Sequence, residues 1–177
     1  MFEKVFETER SLVRRWCSAD LDELVKVYGD REAMKWVGDG RPLSESECRE
    51  WLVVTFRNYK RRGYGMFAVE LKGRPRAIGF CGIVHPGDQE EPEVKYAYLR
   101  CCWGQGIATE VLRGLVAYGT EVHGLMDFVA TTAPNNCASH AVLKKAGFLP
   151  GELFTDEHGD LTQPFLYHAT QTPSSKA

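Results

Sequence analysis

Arg100-Cys101-Cys102-Trp103-Gly104-Gln105-Gly106-Ile107-Ala108-Thr109-Glu110 sets two glycines, one residue apart, directly before a run of helical periodicity. Glycines eases the chain out of a strand and into a helix, and as a turn alone the stretch needs no further explanation. A dinucleotide-binding G-x-G-x-x-G fits it poorly. The sixth position is Thr109, the acid at the right distance, Asp127, opens the following strand instead of closing it, and the upstream segments read as antiparallel hairpins. The third possibility is an anion seat at a helix N-terminus, where the first amides have no helical acceptor and the macrodipole adds about half a positive charge. No Ser, Thr, Asp or Asn caps this turn, and a second polar cluster, Asn136-Cys137-Ala138-Ser139, opens the helix after the neighbouring strand. Two helix N-termini beside two parallel strands border one crevice, which suits an elongated ligand carrying a pyrophosphate.

The flanking segments supply those strands. After the glycines, Ile107, Ala108, Val111, Leu112, Leu115 and Val116 form a helical stripe between Gly104 and Tyr118, and Met126 to Thr132 reads as a strand. Strand, helix, strand implies a right-handed parallel crossover. Before the glycines, Met66 to Leu71 and Ala77 to Val84 read as a hairpin about Lys72-Gly73-Arg74-Pro75, and Glu93 to Leu99 as a third strand. Upstream lies the clearest helix, with Ser44 and Glu47 as a capping box and Cys48, Trp51, Leu52, Thr55, Phe56 and Tyr59 on one face. Asp20, with Glu23 three residues on, is expected to cap a helix from Leu21 to Tyr28, preceded by a short strand from Ser11 to Trp16. Downstream, a helix from Asn136 to Lys145 closes at Gly147, and two strands follow, Phe148 to Thr155 and Thr162 to Thr170. These elements predict one α/β (α+β) domain over residues 1–170 and a flexible tail over 171–177.

Composition narrows the function classes. With 44% hydrophobic and 26% charged residues the chain is an ordinary globular sequence, and a net charge of -2 argues against nucleic acid as its main partner. No apolar run reaches the roughly 18 residues of a membrane span, and the first residues lack a signal-peptide apolar region, so a cytoplasmic protein is expected. Cys17, Cys48, Cys81, Cys101, Cys102 and Cys137 form no CxxC pair, and His85, His123, His140, His158 and His168 share no ligand spacing. Reduced thiols and no metal are expected.

Four blocks in order resemble the GCN5-related N-acetyltransferases (GNAT), in the branch of the Rim-type enzymes that acetylate ribosomal-protein N-termini. They are Thr8-Glu9-Arg10-Ser11-Leu12-Val13-Arg14-Arg15, Glu93-Val94-Lys95-Tyr96-Ala97-Tyr98-Leu99, Trp103 to Glu110, and Asn136-x-x-Ser139-x-x-Val142-Leu143-Lys144-Lys145-Ala146-Gly147-Phe148. The resemblance implies a mixed, mostly antiparallel sheet of about seven strands flanked by helices, with a splayed parallel pair forming the groove for acetyl-CoA. It implies that backbone groups of Tyr98 and Leu99 meet the pantetheine arm, that amides of Gly104, Gln105, Gly106, Ile107, Ala108 and Thr109 hold the pyrophosphate, and that Asn136 and Ser139 line the other wall. Cys101 stands where relatives often keep Arg or Gln, and Leu143 where many keep an acidic tyrosine, so the grip on phosphate should come from backbone. Glu93 is then the candidate base for the acceptor amine, a backbone N–H near Leu99 the oxyanion donor, and Ser139 the acid, with Tyr98 and Tyr167 as substitutes. Lys144 and Lys145 are candidates for a CoA phosphate, and Trp36 for the acceptor site. The implied reaction moves an acetyl group to a primary amine, foremost a protein or peptide N-terminus. A small amine such as an amino acid, polyamine or aminoglycoside is the alternative acceptor, and a non-catalytic CoA-binding module the alternative function, in a monomer or homodimer.

Overall fold

The computed structural model describes residues 3–156 and 159–170. The expected tail at 171–177 and His158 lie outside them. In chain order the elements are β1 (Lys4–Glu7), β2 (Ser11–Arg15), α1 (Leu21–Gly29), α2 (Arg31–Met34), α3 (Glu45–Arg62), β3 (Met66–Leu71), β4 (Arg74–Val84), β5 (Glu93–Tyr98), α4 (Ile107–His123), β6 (Asp127–Thr132), α5 (Cys137–Ala146), β7 (Leu149–Pro150), β8 (Phe154–Thr155) and β9 (Leu161–His168). The strands join in the order β1-β2-β3-β4-β5-β6-β9-β7, with β8 on β9, and every pairing is antiparallel except β5 with β6.

Nine strands are present among the described residues where about seven were expected. The four residues of β1 are too few for period two to stand out, and pairing with β2 is what makes them a strand. The segment expected as one strand from 148 to 155 breaks at Pro150-Gly151 into β7 and β8, because proline offers the ladder no N–H.

Local signals decide some helix ends and tertiary partners decide others. At α3 the Ser44 hydroxyl accepts from the Glu47 amide while Glu47 accepts from the Ser44 amide at 2.8 Å, the capping box read from the sequence. At α1 the expected cap is not formed. The Asp20 carboxylate faces Arg14 at 2.7 and 3.0 Å and accepts from the Cys17 amide, while Glu23 accepts from the Ala77 amide. A two-pronged bond from a buried guanidinium outweighs one capping bond.

Strand alternation divides β5 between two apolar cores. Val94, Tyr96 and Tyr98 pack with α4 and α5 around Val111, Leu115, Phe128 and Leu143. On the opposite face Ala97 and Leu99 meet Leu24, Met34, Leu52 and Phe80 beneath α1, α2 and α3. Both faces of β5 are therefore covered, and the strand is open only along its edge toward β6.

Candidate functional site

That open edge is the site. β5 and β6 hold a single register pair, Glu93 opposite Val129, closed by a 3.0 Å bond from the Val129 amide to the Pro92 carbonyl. Beyond it the strands diverge around a groove of about 440 Å³. The register of β4 with β5 runs unbroken from Val84–Glu93 to Gly79–Tyr98, and the Leu99 amide donates to Ile78 at 2.8 Å. By alternation, the peptide groups that face the groove are those of Val94, Tyr96 and Tyr98. The N–H of Leu99, the expected oxyanion donor, is turned toward β4 with no bulge to free it, so the N–H groups of Tyr96 and Tyr98 face the groove instead. The Tyr98 carbonyl is already taken by Trp103 Nε1 at 2.7 Å.

At the wide end lies the glycine turn. Gly104 and Gly106 have φ of 71° and 76°, in the left-handed region that disfavours a Cβ, and Gly106 begins α4 without any side-chain cap. The first helical bond of α4 is from the Glu110 amide to the Gly106 carbonyl at 3.1 Å, so the first-turn amides before it have no helical acceptor. Gly104, Gly106, Ile107, Ala108 and Thr109 all line the groove. Gln105 instead braces the turn, its amide bonded to the Cys101 carbonyl at 2.7 Å.

Arg10, a hundred residues upstream, fixes the turn from behind. Its Nη1 donates to the Gln105 carbonyl at 2.8 Å, and its Nε pairs with Glu110 at 2.6 Å. Burial pushes the Glu110 carboxyl up, but hydrogen bonds from Thr8 and Arg10 outweigh it and hold it below the usual carboxylate range. No short-range sequence signal discloses this clamp.

On the wall formed by α5, Asn136 caps the helix, its side chain accepting from the Ser139 amide at 3.2 Å. Ser139 Oγ lies 2.8 Å from the hydroxyl of Tyr96. Burial pushes the Tyr96 phenol up to about 12, partly offset by that bond, so at neutral pH it remains a proton donor. Tyr96 is the hydroxyl that the sequence did not single out. The expected substitutes are placed elsewhere: the Tyr98 hydroxyl is buried without a partner, and Tyr167 packs on Phe148 with ring centres 5.1 Å apart.

At the narrow end, Glu93 is 4% exposed and joined to Thr131 Oγ1 and, at 2.9 Å, to Lys95 Nζ. Lys95 lines the groove and also a second cavity of about 320 Å³, walled by Tyr28, Trp51, Tyr64 and Phe80 with Asn58, His85 and Asp88 among its polar residues. Val37 and Phe80 are the other residues common to both.

The remaining candidates divide. Trp36, 42% exposed, borders the groove itself, as does Lys145. Lys144 is exposed outside it. Cys101 and Cys102 hold their sulfurs 3.7 Å apart as free thiols, and burial pushes Cys102 up to about 11. No cluster of three metal-ligating side chains occurs among the described residues. Nor is any helix among them long and apolar enough to cross a membrane.

A cradle of unpaired amides at a helix N-terminus, an apolar channel and a free strand edge are what an elongated pyrophosphate ligand with peptide-like amides requires. Comparison with known proteins agrees. Residues 10–149 match the model of the acetyltransferase (GNAT) domain. An N-acetyltransferase named p20 from Bacillus licheniformis is 28% identical over 152 residues, 84% of each chain. The FsC-acetyl coenzyme A-N(2)-transacetylase of Aspergillus fumigatus is 28% identical over 145 residues, covering 76% of this chain and 60% of that one. The structure of RimL, a ribosomal L7/L12 alpha-N-protein acetyltransferase in complex with coenzyme A, superposes with a TM-score of 0.79 at 17% identity over 94% of this chain and 98% of the other.

Proposed function

The chain belongs to the GNAT acetyltransferase family, and from that premise we propose that it transfers the acetyl group of acetyl-CoA to a primary amine, foremost the N-terminal α-amine of a protein or peptide. The observation that carries this reading is the groove itself, with an amide cradle at its wide end and, at its narrow end, a buried carboxylate joined to Lys95, which lines both the groove and the second cavity. Acetyl-CoA, when bound, supplies an acyl thioester.

The residues of the chain have distinct tasks. Amides from Gly104 to Thr109 hold the pyrophosphate, aided by the α4 dipole. The edge of β5 at Tyr96 and Tyr98 pairs with the pantetheine amides, and one of these N–H groups stabilises the developing oxyanion. Glu93 takes the proton of the acceptor ammonium, for which that amine must displace Lys95 from the carboxylate. Ser139, backed by Tyr96, donates a hydrogen bond to the departing thiolate. Tyr96 stays protonated at neutral pH, so the pair stabilises charge by hydrogen bonding, and water completes the protonation.

Arg10→Ala tests the donor seat. It removes the side-chain bonds to Gln105 and Glu110, leaving the main-chain bond from residue 10 to Glu110, without touching the narrow end of the groove. The expected result is a KM for acetyl-CoA raised by about threefold to tenfold, the equivalent of one ordinary net hydrogen bond, with kcat nearly unchanged. A fall in kcat at constant KM would contradict the assignment.

A second reading is a small amine as acceptor. It is favoured by the second cavity, whose aromatic walls and about 320 Å³ match a small molecule better than an extended chain. Thiol release from acetyl-CoA, measured with a panel of peptides of varied N-terminal residue and of free amino acids, polyamines and aminoglycosides, separates the two. Turnover that rises with peptide length supports the N-terminal reading. Turnover confined to free amines supports the second, and none with any amine in a chain that binds acetyl-CoA rejects both.

A further inference from the structure

The meeting point of the two cavities holds an amine of the chain's own. Among the described residues three line both, of which Val37 and Phe80 are inert and Lys95 carries a nucleophilic nitrogen. Its side chain is 42% exposed, long enough and free enough to reorient, yet its Nζ rests 2.9 Å from the buried Glu93 carboxylate. On the opposite face of β5, Tyr96 and Ser139 are joined hydroxyl to hydroxyl. Lys95 therefore brings an amine to the same groove that Tyr96 and Ser139 line, with the candidate base already beside its nitrogen. Lys145, which also lines the groove, belongs to the last turn of α5, about 1.7 helical turns from Ser139.

We propose that Lys95 is a self-acetylation site: with acetyl-CoA bound and the acceptor cavity empty, the chain transfers the acetyl group to its own Lys95 Nζ. The inference rests on the donor reading above. In the step, Lys95 passes one proton to Glu93, and its nitrogen lone pair forms the new C–N bond to the thioester carbonyl carbon. The C–S bond breaks with its electron pair on sulfur, Ser139 hydrogen-bonds the thiolate, and water protonates it. The second nitrogen proton leaves through Glu93 to solvent, so the products are Nε-acetyl-Lys95 and free CoA. The modified side chain has lost its charge and no longer pairs with Glu93. It also fills the passage between the cavities, so donor without acceptor turns the enzyme down.

The test is incubation of the intact chain with acetyl-CoA and no acceptor, followed by peptide mass spectrometry over time, with thermal stabilisation by acetyl-CoA read on the same samples. The expected result is one acetyl on Lys95, accumulating at least about tenfold faster than on the exposed Lys60, because Lys95 lines the groove beside the base and Lys60 does not. Glu93→Gln should slow it by about tenfold or more, Lys95→Arg should abolish it, and chain unfolded in urea should lose the preference for Lys95. Stabilisation by acetyl-CoA with Lys95 modified no faster than Lys60 overturns this proposal and leaves the donor reading standing. Absence of stabilisation at millimolar acetyl-CoA overturns both.

Discussion

Glu93→Gln lowers kcat by roughly 10²-fold to 10⁴-fold, the range for loss of a positioned general base, and leaves KM for acetyl-CoA within about twofold. The geometry makes the variant informative. A glutamine keeps the bond from Thr131 and the packing at the foot of β5, and it removes only the charge and the ability to take a proton. Lys95, left without its partner, is exposed enough to be solvated, so no buried charge is stranded. The chemical step is then limited by the fraction of acceptor amine that is already neutral in solution. Turnover of the variant should accordingly rise with pH toward the amine's own range, and the wild-type rate should level off earlier. Turnover within threefold of wild type, with an unaltered pH profile, would remove Glu93 from the mechanism.

Arg14→Ala costs about 3–5 kcal/mol of stability at neutral pH, roughly a 10 °C fall in Tm for a chain of this length. Arg14 is 2% exposed, and it joins Glu70 of β3 at 2.6 Å to Asp20 before α1 at 2.7 Å. The loss arises less from the pair's own attraction than from two carboxylates left buried without a cation. Acid should narrow the difference between the two proteins. Burial pushes the Asp20 carboxyl up, but the Arg14 bonds outweigh it and hold it below its ordinary value. In the wild type its contribution is therefore complete above the unfolded carboxylate range and is lost as pH falls through the lowered folded value. In the variant the uncompensated carboxylates are relieved by protonation over the same fall. Urea unfolding at pH 7 and again near pH 4 measures the variant's arm, and a further point below about pH 3 the wild type's. A cost that is unchanged between them would mean the loss is one of packing and not of charge.

What the sequence disclosed was chiefly local. The capping box at Ser44 and Glu47 needs three residues and forms as written. The glycine pair before α4, the helix start at the Asn136 cluster and the Gly147 closure are equally short-range, and each is in place. The groove was legible because two such signals fell after two strands, and parallel pairing of those strands follows from the helix between them. What stayed hidden depends on partners far apart in the chain. Asp20 reads as a cap until Arg14 and Glu70 are folded against it, and Arg10 reads as a surface charge until Glu110 arrives a hundred residues later. Tyr96 is the instructive case. Alternation puts it on the same face of β5 as Tyr98, so the sequence offers two hydroxyls with equal claim, and only their depth in the sheet separates them. One reaches Ser139 and the other ends in the core.

The single register pair between β5 and β6 also has a mechanical meaning. The sheet is two half-sheets, β1 to β5 and β6 to β9, stitched at Glu93 and Val129 and otherwise held together by the helices packed over them. Such a joint leaves the two halves few direct bonds to each other, the Thr131–Glu93 bond among them. A ligand that lays its own amides along the free edge of β5 becomes, in effect, a missing strand between the halves. On the proposed donor reading, adding acetyl-CoA should therefore slow amide hydrogen exchange in β5 and β6 together, and exchange that is unchanged by the donor would contradict it.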